Sequence, residues 1–111
     1  MAHLLTRALV QWTTWVVGVV LAFGAYVAIS EHRAEGRARS FCANVRVGDP
    51  TAPLEARGIA AGADERQSRW IRIPGQTPLL LVTFVAVPMS RHICAVEGDQ
   101  AVTKVHYTYF D

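Results

Sequence analysis

"ALVQWTTWVVGVVLAFGAYVAI", residues 8–29, holds 22 positions without a charged side chain. A helix of that length rises roughly 33 Å, enough to cross a hydrocarbon layer of about 30 Å. Trp12 and Trp15 lie toward one end and Tyr26 toward the other, the places where amphipathic rings favour the two interfaces. Gln11, Thr13 and Thr14 make the first turns the least apolar, so the deepest part is expected over 16–29. The segment predicts a transmembrane helix acting as a signal anchor, preceded by a short N-terminal tail, 1–7. A cleaved signal peptide is the competing reading, with the tail as a basic n-region and Ala28-Ile29-Ser30 as a poor small-x-small cleavage site. The apolar run is longer than the roughly 7 to 15 residues of an ordinary signal-peptide core, which favours the uncleaved anchor.

Within the span, Gly18, Ala22 and Ala25 fall at i, i+4 and i+7 and form a narrow small-residue face. Small side chains let a second helix approach closely, so these three are the expected helix-packing face, toward another copy or a larger membrane complex. Gly24 and Ala28 form a second small pair on a different face.

Downstream, "EHRAEGRARSFCANVRVGDP" (31–50) carries two opposed topological signals. Arg7 is the only basic side chain before the span, whereas Arg33, Arg37 and Arg39 follow it, and a positive-inside count would leave the C-terminal domain in the cytoplasm. Cys42 and Cys94 are the only two cysteines, one near each end of the segment beyond the span. A pair so placed reads as one disulfide, a bond that persists in oxidising compartments and is rare in the cytosol. Closing a loop of 51 intervening residues is worth about 4 kcal/mol in the chain-entropy model, a large share of a small domain's stability. The disulfide outweighs the arginines, which predicts a bacterial inner-membrane protein with a periplasmic C-terminal domain. The alternative is a cytoplasmic domain with two buried thiols.

The expected organisation is a juxtamembrane helix or linker over 30–40 and a small disulfide-linked α+β domain over 41–111. Phe41, Cys42 and Val45 make an apolar stripe on an otherwise charged helical segment. A short second helix follows the turn at Gly48-Asp49-Pro50, with Thr51 as its cap, Pro53 in its first turn, Gly62 beyond its end, and Leu54, Ile59 and Ala61 facing inward. "GADERQSR" (62–69) is a polar surface loop. From Trp70 the pattern turns to strand: "RWIRI" (69–73), then the apolar "LLLVTFVAV" (79–87) between Pro78 and Pro88, too short to cross a membrane again. "RHICAVE" (91–97) and "AVTKVHYTYF" (101–110) flank Gly98-Asp99 as a hairpin, most simply with Glu97 opposite Gln100. That register puts Cys94 on one face with His92, Val96, Ala101, Thr103, Val105 and Tyr107, and puts Arg91, Ile93, Lys104 and His106 on the other. The result is two helices packed on a three- or four-stranded antiparallel sheet, with Cys42 brought to Cys94 on its core face.

In layout, "GDPTAPLEARGIAAGA" (48–63) with the flanking helix and strands resembles the small envelope domains of the SmpA/OmlA (BamE-like) type. There a helical pair precedes a three-stranded sheet and a G-x-[ST] turn opens the second helix. The resemblance covers roughly residues 41–111 at the level of topology. It implies an accessory protein docking on envelope machinery, with no catalytic residues to carry over. Members of that type are lipoproteins, and no lipid-acceptor cysteine stands at the end of the apolar segment here.

Chemistry is sparse. Cys42 and Cys94 form no Cys-x-x-Cys redox motif, and there is no nucleophile elbow, phosphate-binding glycine loop or zinc-protease helix. His92, Cys94 and His106 invite a metal reading, but His106 falls on the opposite face of the hairpin, so no metal site and no cofactor are expected. Glu31, Glu35, Glu55, Asp64 and Glu65 read as solvated surface charge. After Ile29 there are ten Lys+Arg against nine Asp+Glu, too even a balance to attract nucleic acid or an acidic substrate. Arg33, Arg37 and Arg39 either touch lipid headgroups or are solvated and paired with Glu31 and Glu35. "VHYTYFD" (105–111) places Tyr107, Tyr109 and Phe110 at the chain end, as core closure or as a partner surface. The composite expectation is a single-pass, non-enzymatic envelope protein whose domain binds or supports another envelope protein, a complex or a second copy of itself, with no small-molecule substrate. A small inhibitor or immunity-type binder of an exported enzyme or toxin is the alternative.

Overall fold

Helix α1 runs without a break from Ala2 to Asn44, 43 residues that rise about 65 Å and account for most of the 75 Å long axis of the molecule. The computed structural model describes residues 2–87 and 89–110. No proline interrupts this segment and alanine is frequent in it, so nothing in the local chemistry stops the helix between the apolar run and the charged one. Its most apolar stretch has a mean hydropathy of 1.8, and none of that window is buried by the rest of the chain. This makes α1 a candidate membrane-spanning or signal helix.

After α1 come α2 (Leu54–Ala60), β1 (Arg69–Ile71), β2 (Leu79–Ala86), β3 (Ser90–Gly98) and β4 (Val102–Phe110). The four strands form one antiparallel meander in sequence order. The architecture is α+β, with the C-terminal third of α1 and the short α2 on one face of the sheet. Ala34, Ala38, Phe41 and Val45 recur at helical spacing and are buried against Leu80, Val82, Phe84, Cys94 and Val96. Ala34 and Ala38 carry only a methyl group, which lets the helix backbone lie close to the strands. Contact with the sheet reaches back to Ser30, whose Oγ accepts the Val87 N–H at 3.0 Å. The stretch 30–40 is therefore helical and carries core side chains.

α2 is shorter than its sequence pattern suggests. Thr51 does not cap it: its hydroxyl donates instead to the Asp99 carbonyl at 2.6 Å, and its N–H to Gln100 O at 3.1 Å, joining the turn before α2 to the β3–β4 connection. Pro53 takes the cap position with no side-chain hydrogen bond. Leu54 and Gly58 are the buried residues, while Ile59 is half-buried and Ala61 exposed, because seven residues present only one i, i+4 pair inward. At the far end Gly62 adopts φ +108°, and the N–H groups of Gly62 and Ala63 close on the carbonyls of Ile59 and Gly58. Glycine reaches this left-handed end conformation without a Cβ penalty.

The loop at 62–69 is tied down to β2. Asp64 N–H donates to Thr83 O, Thr83 N–H to Ser68 Oγ and Thr83 Oγ1 to Gln67 O, and Ser68 is buried. β2 lies between β1 and β3, so "LLLVTFVAV" is an inner strand. Its helix-facing residues Leu80, Val82, Phe84 and Ala86 are buried, whereas on the outer face Leu79 and Leu81 are half-buried and Val85 is exposed. Pro88, expected to bound this strand, lies outside the described residues.

The β3–β4 register differs from the simplest hairpin. Glu97 pairs with Lys104 and Cys94 with Tyr107, with a bulge at Glu97/Gly98. The longer connection leaves the Asp99 and Gln100 carbonyls to Thr51. A Cβ at Gly98 would run into the Ala101 carbonyl, so the bulge requires glycine there. The displacement is even, so Val105 and Tyr107 keep the face of Cys94. Beyond the bulge, Ala101 is exposed and Val102 takes the buried place.

Candidate functional site at the junction of helix and sheet

Cys42, near the end of α1, and Cys94, in the middle of β3, form a disulfide with Cα atoms 5.6 Å apart, within the range such a bond requires. Cys94 is fully buried and joins the core, with half-buried Cys42 packed against it. Helical spacing places Glu31, Glu35 and Arg39 along the same side of α1 as Cys42, above β3 and β4.

On that side sits a polar cluster that the sequence pattern did not single out. His92, on β3 and 2 % exposed, has both ring nitrogens engaged. Nε2 lies 3.1 Å from Glu31 Oε1 and Nδ1 lies 2.6 Å from the Tyr107 hydroxyl. An ionised carboxylate only accepts hydrogen bonds, so in the neutral ring Nε2–H donates to Glu31 and Nδ1 accepts from Tyr107. The Tyr109 ring centroid is 4.9 Å from that of His92, and the Arg39 guanidinium lies 4.5 Å above the Tyr107 ring. Arg39 Nε also donates to Glu35 Oε1 at 2.9 Å. Tyr107 is held above the ordinary tyrosine pKa of 10.0, first by burial and then by the negative charge of Glu35, with Arg39 opposing. Glu35 pairs with the arginine four positions on, whereas Glu31, with no arginine three or four positions away, reaches His92 across 61 positions.

Tyr107 and Tyr109 stand on the helix-facing side of β4 with His92, and Phe110 projects from the other face. Tyr107 is half-buried in the cluster, whereas Tyr109 and Phe110 are 46 % and 58 % exposed. β4 is an edge strand. Its first residue is covered by the turn before α2, through Gly48 N–H to Val102 O and Val102 N–H to Asp49 O, and no described strand pairs beyond it from Thr103 to Phe110. His106 is on the opposite face from His92, and Cys94 is in the disulfide, so these three do not converge.

Gly18, Ala22 and Ala25 lie on the exposed apolar part of α1, where a Cβ added at Gly18 would meet nothing within 4 Å. Among the described residues nothing covers that face. Comparison of the chain with protein-family models, with curated protein sequences and with solved structures found no match.

Proposed function

We propose that the chain is a single-pass, membrane-anchored, non-enzymatic envelope protein whose C-terminal domain lies on the oxidising side of the membrane and binds or supports another envelope protein or complex. The observation that carries this reading is the continuity of α1, which passes from wholly exposed apolar residues into the core of the sheet without a hinge. A domain clamped to its own anchor at Ala34, Ala38 and Phe41, and stapled at Cys42, is held at fixed height and orientation over the bilayer. That is the mechanical requirement of a recognition or support element, and a flexible tether would not meet it. The disulfide supports the oxidising compartment. The open edge of β4, with Tyr109 and Phe110 exposed at its end, supplies backbone donors and acceptors beside aromatic anchors.

The test is photo-crosslinking in intact cells, with a photoreactive side chain at Tyr109 or Phe110 of the full-length chain. A discrete crosslink to an envelope protein from these positions, absent from Glu65, is expected. One-to-one capture of an exported enzyme or toxin would transfer the assignment to an inhibitor. Alkylation showing both cysteines free in native cells would overturn the oxidising placement. Gly18→Leu tests the helix face separately, since loss of co-purifying copies would assign that face to self-association.

A further inference from the structure

The fold divides the basic residues that follow the apolar run. Arg39 turns toward β4, where Glu35 and Tyr107 engage it. Arg33 and Arg37 point the other way, into the angle between α1 and α2, where they meet Arg57 of α2 across an open groove of about 680 Å³. Gly36 and Ser40 form part of its wall, and a Cβ at Gly36 would meet nothing within 4 Å. None of these three arginines has an ion-pair partner among the described residues; Glu31 and Glu35 lie on the far side of the helix with His92 and Arg39. Three guanidinium groups sharing one groove without a carboxylate are suited to an anion with several oxygens, which the planar fork binds bidentately.

A second cavity, of about 270 Å³, shares Arg33 and Arg37 with the first and continues toward the apolar run, lined by Tyr26, Ile29 and Val85. Arginines line both cavities, and the apolar side chains of Tyr26 and Ile29 border the second where it meets the apolar run, so charge and hydrocarbon follow one another in the order they have in a phospholipid. Depth agrees. With Ile29 at the hydrocarbon boundary, Arg33 stands about 6 Å further out, within a headgroup layer of roughly 5 to 7 Å, and Arg37, about 12 Å out, lines the second cavity together with Ile29 and Ser30.

We propose that the groove between α1 and α2 binds phosphate esters, and that the bilayer supplies them as anionic phospholipid headgroups, with Arg33 and Arg37 holding the phosphate and Arg57 closing over the headgroup. The proposal rests on the membrane-anchored reading above. It differs from general attraction of a basic segment to an anionic surface in requiring Arg57, which lies on another element, and in not requiring Arg39.

The experiment uses the full-length chain in nanodiscs of phosphatidylcholine doped with phosphatidylglycerol, with co-bound lipid counted by native mass spectrometry. Phosphatidylglycerol is expected to be enriched around the wild-type chain. Arg57→Gln should weaken the enrichment about fivefold, the factor for one arginine near an anionic leaflet. Gly36→Leu, which retains every charge and fills the groove, should weaken it similarly, and Arg39→Gln should leave it unchanged. Equal losses for Arg39→Gln and Arg57→Gln would reduce the effect to surface charge and overturn the groove. Glycerol phosphate in solution that displaces the lipid at comparable concentration would assign the groove to a soluble phosphate and overturn the lipid source. A chain that does not enter neutral nanodiscs overturns the anchoring reading and the lipid assignment together, whereas entry without enrichment overturns the groove alone.

Discussion

The Cα atoms of Cys42 and Cys94 lie 5.6 Å apart although 52 positions separate them in the chain. The bond joins the end of a 43-residue helix to an inner strand, so it ties the element leaving the apolar segment to the centre of the sheet. The unfolded chain between the two cysteines is constrained by the same bond. Replacing both by alanine is expected to lower stability by about 4 kcal/mol. Urea unfolding of the full chain in detergent micelles, followed by tryptophan fluorescence, checks this. A midpoint unmoved by the double substitution would show that the bond contributes nothing.

The His92 ring is expected to hold its proton on Nε2 when neutral, since Glu31 accepts there and Tyr107 donates to Nδ1. Nitrogen-15 chemical shifts of the imidazole distinguish the two tautomers directly. Glu31→Ala leaves a buried donor without a partner and should cost about 1 to 3 kcal/mol. Glu31→Gln keeps an acceptor oxygen and should cost less. If the two substitutions prove equal, the Glu31 oxygen is not what His92 requires.

Alkaline stability follows from Tyr107. Its folded-state pKa is raised above 10.0, so the unfolded chain gives up the phenolic proton first as pH rises. The stabilising contribution is complete below pH 10 and is lost as pH climbs from that value through the folded pKa. Tyr107→Phe should flatten the fall in melting temperature over this range while lowering stability at neutral pH, because Nδ1 of His92 loses its donor. A wild-type and a variant curve that stay parallel would contradict this.

Gly58 faces the core so closely that an added Cβ would stand 2.6 Å from Val82 Cγ1, a fully buried and β-branched neighbour. Gly58→Ala should destabilise the domain by about 1 to 3 kcal/mol even though alanine is the better helix former. Gly36→Ala meets nothing within 4 Å and should gain up to about 1 kcal/mol from helix propensity. The two thermal shifts should therefore have opposite signs.

Some features were legible from residues a few positions apart. The uncharged run over 8–29 marked the apolar, exposed part of the helix, the alternation in 91–97 and 101–110 marked the hairpin strands, and Phe41 and Val45 marked the buried side of the helix. The register of that hairpin was not legible, because its connection is bulged at Gly98 and bonded to Thr51, 48 positions away from the carbonyl it engages. Of the residues expected to face inward from α2, Leu54 is buried, Ile59 half-buried and Ala61 exposed.

By itself, the sequence determined the apolar helix, the strand pattern and the presence of two thiols placed to pair, since these depend on propensity and period over neighbouring positions. Only the tertiary structure decided which partner each polar side chain takes. Glu31 turns from its own helix to His92, Arg39 goes to Glu35 and Tyr107, and Arg33 and Arg37 are left facing Arg57. Charges on one helix have several neighbours within reach at similar energy, and the choice among them falls to whichever strand or helix packs against that side.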